Sequence, residues 1–294
     1  MILDPRPVKV STRTGVDVMR TLPNAKRKTV SAWCFVDHFG PSDQTDSMVV
    51  AKHPHMGLQT VTWLLDGEVE HRDSVGSVQL IKPGQLNIMT AGHGIAHSEL
   101  STKQEGQLHA VQLWLALPDS ARHNASSFQH LDALPLVQNG SLSARVLIGD
   151  FMGATSPARV FSKLVAAELR VAAGGSVEVE LNPAFEHAFL VVQSSAAISG
   201  EAIGKSQMQI LEVGQSTAKI DAAEGEELIV LLLGGEPFSE PIVMWWNFIA
   251  RTHAEIVEAR AEWNARDNRF GDFEDNIGGW IGAPELPNVT LRPR

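Results

Sequence analysis

Short runs of alternating or continuous apolar residues, each closed by a Gly or Pro turn signal, recur through the first 150 positions. Leu58 to Leu65 (LQTVTWLL) is rich in β-branched and aromatic residues, which suit a pleated, half-buried surface. Asp66-Gly67 follows as a turn, Glu68 to Arg72 resumes the strand pattern, and Ser74-Val75-Gly76-Ser77 turns again. Val78 to Lys82, the Pro83-Gly84 turn, Leu86 to Met89, Ala96 to Leu100 and His109 to Leu117 continue the series. Strands spaced this evenly predict an all-β sandwich or barrel.

The second half repeats the grammar. Ser176 to Leu181 alternates, Ala188 to Gln193 is continuously apolar, and Ala197 to Gly200, Met208 to Leu211 and Glu227 to Leu233 follow. GEVEHRDSVGSVQLIKPGQ (67–85) pairs loosely with SAAISGEAIGKSQMQILEVGQ (195–215), which sets Val213-Gly214 against Pro83-Gly84 and predicts an internal duplication. The Ser-, Asn- and Ala-rich stretch from Asp119 to Pro157 reads as the link between the halves. Near the C-terminus Thr252-His253-Ala254-Glu255 has the form of a capping box, and Ile256, Ala259 and Trp263 then fall on one helical face. Trp245, Trp246, Trp263 and Trp280 are read as packing residues of this tail.

Composition narrows the function. The chain has 294 residues, room for two domains, and a formal net charge of −10 with no basic run beyond Lys26-Arg27-Lys28, so direct nucleic-acid binding is not expected. A single cysteine, Cys34, excludes an intrachain disulfide and fits a reducing compartment. The start Met1-Ile2-Leu3-Asp4-Pro5 lacks a secretory pattern, and the longest apolar run, Leu228 to Leu233, is too short to span a bilayer. A cytoplasmic protein without a membrane anchor is the expectation.

The chemistry concentrates in two dipeptide steps. His53-Pro54-His55 sets two imidazoles two residues apart, on the same side of an extended segment; His97-Ser98-Glu99 repeats the spacing with an imidazole and a carboxylate. Three neutral nitrogens and a carboxylate suit Fe, Mn, Ni, Cu or Zn, and four protein ligands on a six-coordinate ion leave two positions open. Gly92 and Gly94 let the chain turn tightly before His97. Gly92-His93-Gly94 opens like a dinucleotide loop but lacks the third glycine, and no G-x-S-x-G elbow is present. Ser98 points away from its strand neighbours, Cys34 reads as a core thiol, and His187, the one histidine of the second half's strand region, reads as a surface residue.

These residues resemble the pirin family. HPHMGLQTVTWLLDGEVEHRDS (53–74) is similar to the first pirin signature, PGQLNIMTAGHGIAHSE (83–99) to the second, and GGEPFSEPIVMWWNF (234–248) to the tail of bacterial members. The resemblance implies a bicupin of jelly-roll type: two antiparallel cupin β-barrels with a short C-terminal helix. It divides the chain into a metal-binding domain at 1–135 and a degenerate domain, carrying the helix, at 136–294. It carries the ligand role onto His53, His55, His97 and Glu99, holding one divalent ion, iron first among the candidates. Family members commonly have Arg or Lys at Met56, Glu at Gln59 and Arg at His93, so these three are expected to line or flank the pocket, with His93 bonding substrate or a ligand carboxylate rather than the ion.

Several pirins resemble quercetin 2,3-dioxygenases, which open a flavonol ring with O2 and release carbon monoxide; others resemble metal-dependent regulators that bind protein partners. The resemblance thus implies a metal-dependent dioxygenase acting on a flavonol-like or related enol or catechol substrate; Glu99, the one ligand able to accept a proton from a substrate hydroxyl, is expected to be ligand and general base. The alternative is a non-catalytic metal-binding regulator that engages a protein partner according to metal redox state.

Overall fold

Strand follows strand through the computed structural model, which describes residues 1–9, 18–43, 48–102 and 107–293; one helix of more than a turn, His253–Ala265, is present among them. That helix opens with the reciprocal capping box read from the sequence: Thr252 accepts from the Glu255 backbone N–H while Glu255 reaches back to the N-cap. No helix among the described residues is long and apolar enough to cross a membrane.

The chain forms two compact units, each built from several stretches: Met1–Pro7, Met19–His38 and Leu131–Phe238 in one, Val8–Val18, Phe39–His130 and Ser239–Arg294 in the other. The second of these holds the His53 and His97 strands. Its smaller sheet orders Val49–His55, Ile95–Ser101, Val69–Asp73 and Val78–Ile81; its larger one runs Ser127–Leu131, Leu86–Thr90, Leu58–Asp66, Gln107–Ala116 and the Phe39 end of Trp33–Asp43. Phe39, Val50, Leu64, Val69, Ile81 and Leu108, drawn from both sheets, make one buried apolar cluster between them. The C-terminal helix packs in this unit. Ile256, Ala259 and Trp263 join Met56, Ala96, Phe248 and Phe270 in a second cluster, and Trp263 stacks on Trp280 at 5.1 Å between centroids. The tail tryptophans are packing residues, as expected.

The other unit has the same strand order. Ser176–Glu180, Thr217–Ala222, Ala196–Ile198 and Glu201–Ile203 repeat the small sheet, and Met208–Leu211, Glu186–Gln193, Leu228–Gly235 and Leu164–Val171 repeat the large one. The duplication is therefore real, but its turns align differently from the sequence pairing. Topology sets Gly204-Lys205-Ser206-Gln207, not Val213-Gly214, against Lys82-Pro83-Gly84-Gln85. Each turn closes with a backbone bond, Gln85 N–H to Lys82 O and Gln207 N–H to Gly204 O, plus a glutamine Oε1 that accepts from the first residue's N–H. Ser206 adopts the positive φ of 62° that Gly84 takes at 82°, which hides the turn from a search for Gly and Pro. The Asp119–Pro157 stretch also differs from the expected linker. Its Leu142–Ile148 strand alternates Leu142, Ala144 and Val146 into the core against Ser143 and Arg145, so its polar composition is the outer half of a strand.

Two glycines fix how the chain leaves the His53 and His97 strands. Gly57 (φ +72°) follows His55-Met56, Gly92 (φ +50°) precedes His97, and the Gly57 N–H donates to the Gly92 carbonyl at 2.9 Å. A Cβ would stand 2.0 Å from the Ile249 carbonyl oxygen at Gly57 and 2.1 Å from that of Asn124 at Gly92. Neither backbone atom can rotate away, and both φ values already disfavour a side chain. Gly57→Ala and Gly92→Ala should each lower unfolding stability by roughly 2–4 kcal/mol, the range for strained backbone substitutions with a clash. Urea unfolding at unchanged m-value measures this; a midpoint equal to wild type in either variant would show that the turn can relax.

Candidate metal centre

Period-two geometry and register bring the site together. In the Ile95–Ser101 strand His97 stands opposite His53 on one side and Asp73 on the other, and Glu99 stands opposite His71. Directly opposed residues share a face, so His53, His97, Asp73, His71 and Glu99 all project into the space between the sheets, joined by His55 two residues on. A bulge between His97 and Glu99 shifts the register, so that Glu99 faces Val50. All five are buried, as is His55.

The three imidazoles of His53, His55 and His97 have ring centroids 4.2 to 5.0 Å apart. Two groupings of candidate donor atoms arise among the described residues: His53, His55 and His97 in one, and His71, His97 and Glu99 in the other, each with atoms within 4.8 Å of one another. His97 belongs to both. The His53 Nδ1 bonds the Ala51 carbonyl at 2.9 Å, which leaves its Nε2 as the lone-pair nitrogen. The Nδ1 of His55 and the Nε2 of His97 are buried without a hydrogen-bond partner among the described residues. Such nitrogens are costly unless something occupies their lone pairs, and a cation does so. The donor set therefore fits a metal ion, in nitrogen count and in protonation state.

Burial controls that state. It lowers the pKa of His53 to about 4 and those of His55 and His97 well below the ordinary value, with neighbouring rings adding to the effect for all three. At neutral pH all three are uncharged. Glu99 moves the other way: burial raises its pKa, and His71 offsets part of this. Burial also acts to raise Asp73, but hydrogen bonds from His71 and Ser77 outweigh it and hold that carboxyl below its usual range.

The walls are aromatic. Trp114 meets His55 edge-on at 5.1 Å, and Phe128 stacks on His71 at 4.5 Å. His71 and Asp73 were missed by motif reading, because the two H-x-H/E steps drew attention away from the strand between them. The signal was there: Val69-Glu70-His71-Arg72-Asp73 alternates, which puts His71 and Asp73 on the face of Val69.

The three expected pocket residues are not brought to the imidazoles. Met56 lies in the apolar cluster with Phe248, its Sδ 2.8 Å from Arg269 Nη2. Gln59 is buried but pairs with Thr90 and Leu115, whereas Trp114 pairs with Thr60, so Gln59 lies on the opposite face of its strand from the His55 side. His93 is exposed on the turn, 6.4 Å from the ring of His123, with its carbonyl accepting from Arg269. His187, expected on the surface, is buried in the other unit, where desolvation lowers its pKa to about 4. It enters neither grouping.

Comparison with known proteins agrees with this architecture. The pirin family model matches residues 15–115, and the model of the pirin C-terminal cupin domain matches residues 166–271. A Pseudomonas aeruginosa protein provisionally named quercetin 2,3-dioxygenase is 40% identical over 275 residues, covering 93% of this chain and 87% of its own. A pirin-like protein of Caulobacter vibrioides is 35% identical over 281 residues, covering 92% and 94%. The crystal structure of a quercetin 2,3-dioxygenase from Acinetobacter baumannii superposes with a TM-score of 0.93 at 39% identity, covering 100% of this chain and 97% of that one. With both family models in order along the chain and the bicupin architecture in place, the chain belongs to the pirin family.

Proposed function

We propose that this chain holds one divalent metal ion, iron first, on His53, His55, His97 and Glu99, and acts as a dioxygenase of quercetinase type on a flavonol-like or related enol or catechol substrate with O2. The observation that carries the reading is the convergence of three neutral, buried imidazoles, two of them with a ring nitrogen that nothing among the described residues satisfies. The similarity to proteins named for quercetin 2,3-dioxygenase supports the substrate class. Trp114 and Phe128 offer the apolar ring surface that a flat aromatic substrate needs. The lone, buried Cys34 fits a cytoplasmic place of work.

A bound ion would supply Lewis acidity and a template for bringing substrate and O2 together. The side chains do the rest. Glu99 is the one carboxylate of the proposed set, and burial raises its proton affinity toward the range useful for a base. It accepts the proton of the substrate hydroxyl, and the resulting anion meets a site whose histidines are neutral. The aromatic walls keep water away from the reacting face.

The ligand assignment predicts that His53→Ala, His55→Ala and His97→Ala each lose metal affinity by more than about 100-fold, since even outer-sphere losses cost 10–100-fold. Far-UV circular dichroism should stay at wild type, because apolar burial between the sheets holds the fold. Elemental analysis reads the metal, and full retention by one variant removes that residue from the set.

Acid should weaken the metal-free protein. Between pH 6.5 and about 4 the unfolded chain protonates His53 while the folded chain does not, so stability is fully present above pH 6.5 and is lost as pH falls through this window. A shift from 6.5 to about 4 corresponds to about 3 kcal/mol for His53 alone at 1.36 kcal/mol per pH unit. Thermal midpoints of the metal-free protein should drop over that range, and His53→Ala should flatten the drop. An equal pH slope in the variant would show that other groups carry the acid sensitivity.

Turnover is tested by O2 consumption and carbon monoxide release with quercetin, using iron-, manganese-, nickel- and copper-loaded protein in turn. At least one form should exceed the free ion, and Glu99→Gln should bind metal but turn over about 10²–10⁴-fold more slowly, the usual contribution of a general base. If no loaded form consumes O2 above the free ion, the dioxygenase reading fails in favour of a metal-bearing regulator with a protein partner. If Glu99→Gln keeps full turnover, the base lies elsewhere.

A further inference from the structure

Asp73, His71 and His97 form a line of contacts that ends at the proposed metal. The Asp73 Oδ2 lies 3.0 Å from His71 Nε2, and His71 Nδ1 lies 3.3 Å from His97 Nδ1. All three residues are at most 2% exposed. The other Asp73 oxygen, Oδ1, accepts backbone N–H groups from Val75 at 3.0 Å and Ser77 at 2.9 Å, in the Ser74-Val75-Gly76-Ser77 turn. Phe128 stacks on the His71 ring at an interplanar angle of 17° and holds its plane.

We propose that Asp73, through His71, sets the tautomer of His97 and thereby keeps its Nε2 bare for the metal. The inference rests on the metal-centre reading above. The polarity follows from the donor and acceptor inventory. Asp73 Oδ2 can only accept, so His71 carries its proton on Nε2 and presents a lone pair at Nδ1. His97 then donates Nδ1–H to that lone pair, and its own lone pair stands at Nε2, the nitrogen without a partner among the described residues. The two backbone donors on Oδ1 fix the direction of the chain, because they determine which carboxylate oxygen faces His71. His71 and Asp73 are positioning residues here: they act through His97 and do not touch the reacting groups. Histidine ligands commonly depend on such an outer partner to fix tautomer and ring orientation. In this chain the partner is one imidazole removed from the carboxylate.

Asp73→Asn makes a sharp test, because it should reverse the chain rather than cut it. The two N–H donors require the asparagine oxygen at the Oδ1 position, so its NH2 group would face His71 Nε2 and donate to it. His71 would then hold its proton on Nδ1 and donate to His97 Nδ1, leaving the His97 proton on Nε2, where the metal must bind. The direct measurement is long-range 1H–15N correlation on metal-free protein with ring-labelled histidine at pH 8, with His71→Ala and His97→Ala spectra for assignment. Wild type should show His97 protonated on Nδ1 and His71 on Nε2. Asp73→Asn should show both reversed and bind metal 10–100-fold more weakly by titration with Fe(II) or Ni(II). His71→Asn, whose side-chain oxygen can stand where Nδ1 was, should keep the His97 tautomer that His71→Ala loses. Wild-type tautomers or wild-type metal affinity in Asp73→Asn would overturn the proposal. So would a wild-type His71 protonated on both nitrogens, or His71→Asn that keeps the His97 tautomer yet binds no metal, which would make His71 a ligand instead. A wild-type protein that shows the expected tautomers but binds no metal would leave the hydrogen-bond chain intact and sink the metal reading with its role.

Discussion

A buried imidazole has two nitrogens to satisfy, and the backbone around this site satisfies only part of what three such rings ask for. His53 donates its Nδ1–H to the Ala51 carbonyl, but His55 and His97 each keep a nitrogen that no atom of the described residues meets. In a sheet interior an unmet polar group costs about 1–3 kcal/mol, so a sequence selected for stability alone would place apolar residues there. Everything else about this unit follows from holding those lone pairs in place. The register must keep His53 and His97 opposed, the turns at Gly57 and Gly92 must stay tight, and the aromatic walls must keep water out.

The sheet is well suited to this because its geometry is set by the backbone. A period of two lets a five-residue strand place His71 and Asp73 on one face, and an antiparallel partner brings Glu99 and His97 directly against them. Ile95–Ser101 and the strands on its two sides thus supply His53, His55, His71, Asp73, His97 and Glu99. The rings are held by the ladder, not by long flexible side chains, so little conformational entropy remains to be lost when an ion binds.

Much of this was legible in the sequence, for reasons that can be named. Turn signals and β-rich runs located the strands from Leu58 to Ala116 and five strands of the second half, and the i, i+2 spacing of His53/His55 and of His97/Glu99 announced paired donors on extended chain. Thr252 and Glu255 gave the helix start, since a capping box depends only on four consecutive residues. What escaped depends on pairing between distant segments. His71 looks like one of several polar residues in EHRD until the register places it beside His97 and Glu99. Ser206 looks unlike a turn residue until its positive φ is seen. Gln59, expected at the pocket because family members commonly carry Glu there, is one position from Thr60, and one position is the difference between the two faces of a strand. The Leu142–Ile148 strand was obscured by a polar half that faces outward.

The unit without the His53 and His97 strands shows what the buried donors cost by showing the same sheet without them. In the small sheet of the metal side, His53, His97 and Asp73 stand in one cross-strand row. The corresponding strands of the other unit oppose Val177 to Ile220 and Ile220 to Ile198, and Val179 to Ala218, within a continuous apolar core that also takes in Phe189, Val191, Val230 and Leu232. The topology is the same, so the fold does not require the histidines, and burial of branched aliphatic side chains is sufficient to hold the sheets together. His187 stands there opposite Leu211 and Gly234 and joins no grouping of candidate donor atoms among the described residues. A lone imidazole has no second donor to share an ion with, and the unit carries it neutral at the cost of its desolvation. The two units therefore separate the requirements that the metal side has to combine. One shows the strand order as a packing solution; the other keeps that order and replaces its central apolar row with donors, which is tolerable only if an ion, once bound, returns the energy those donors forgo.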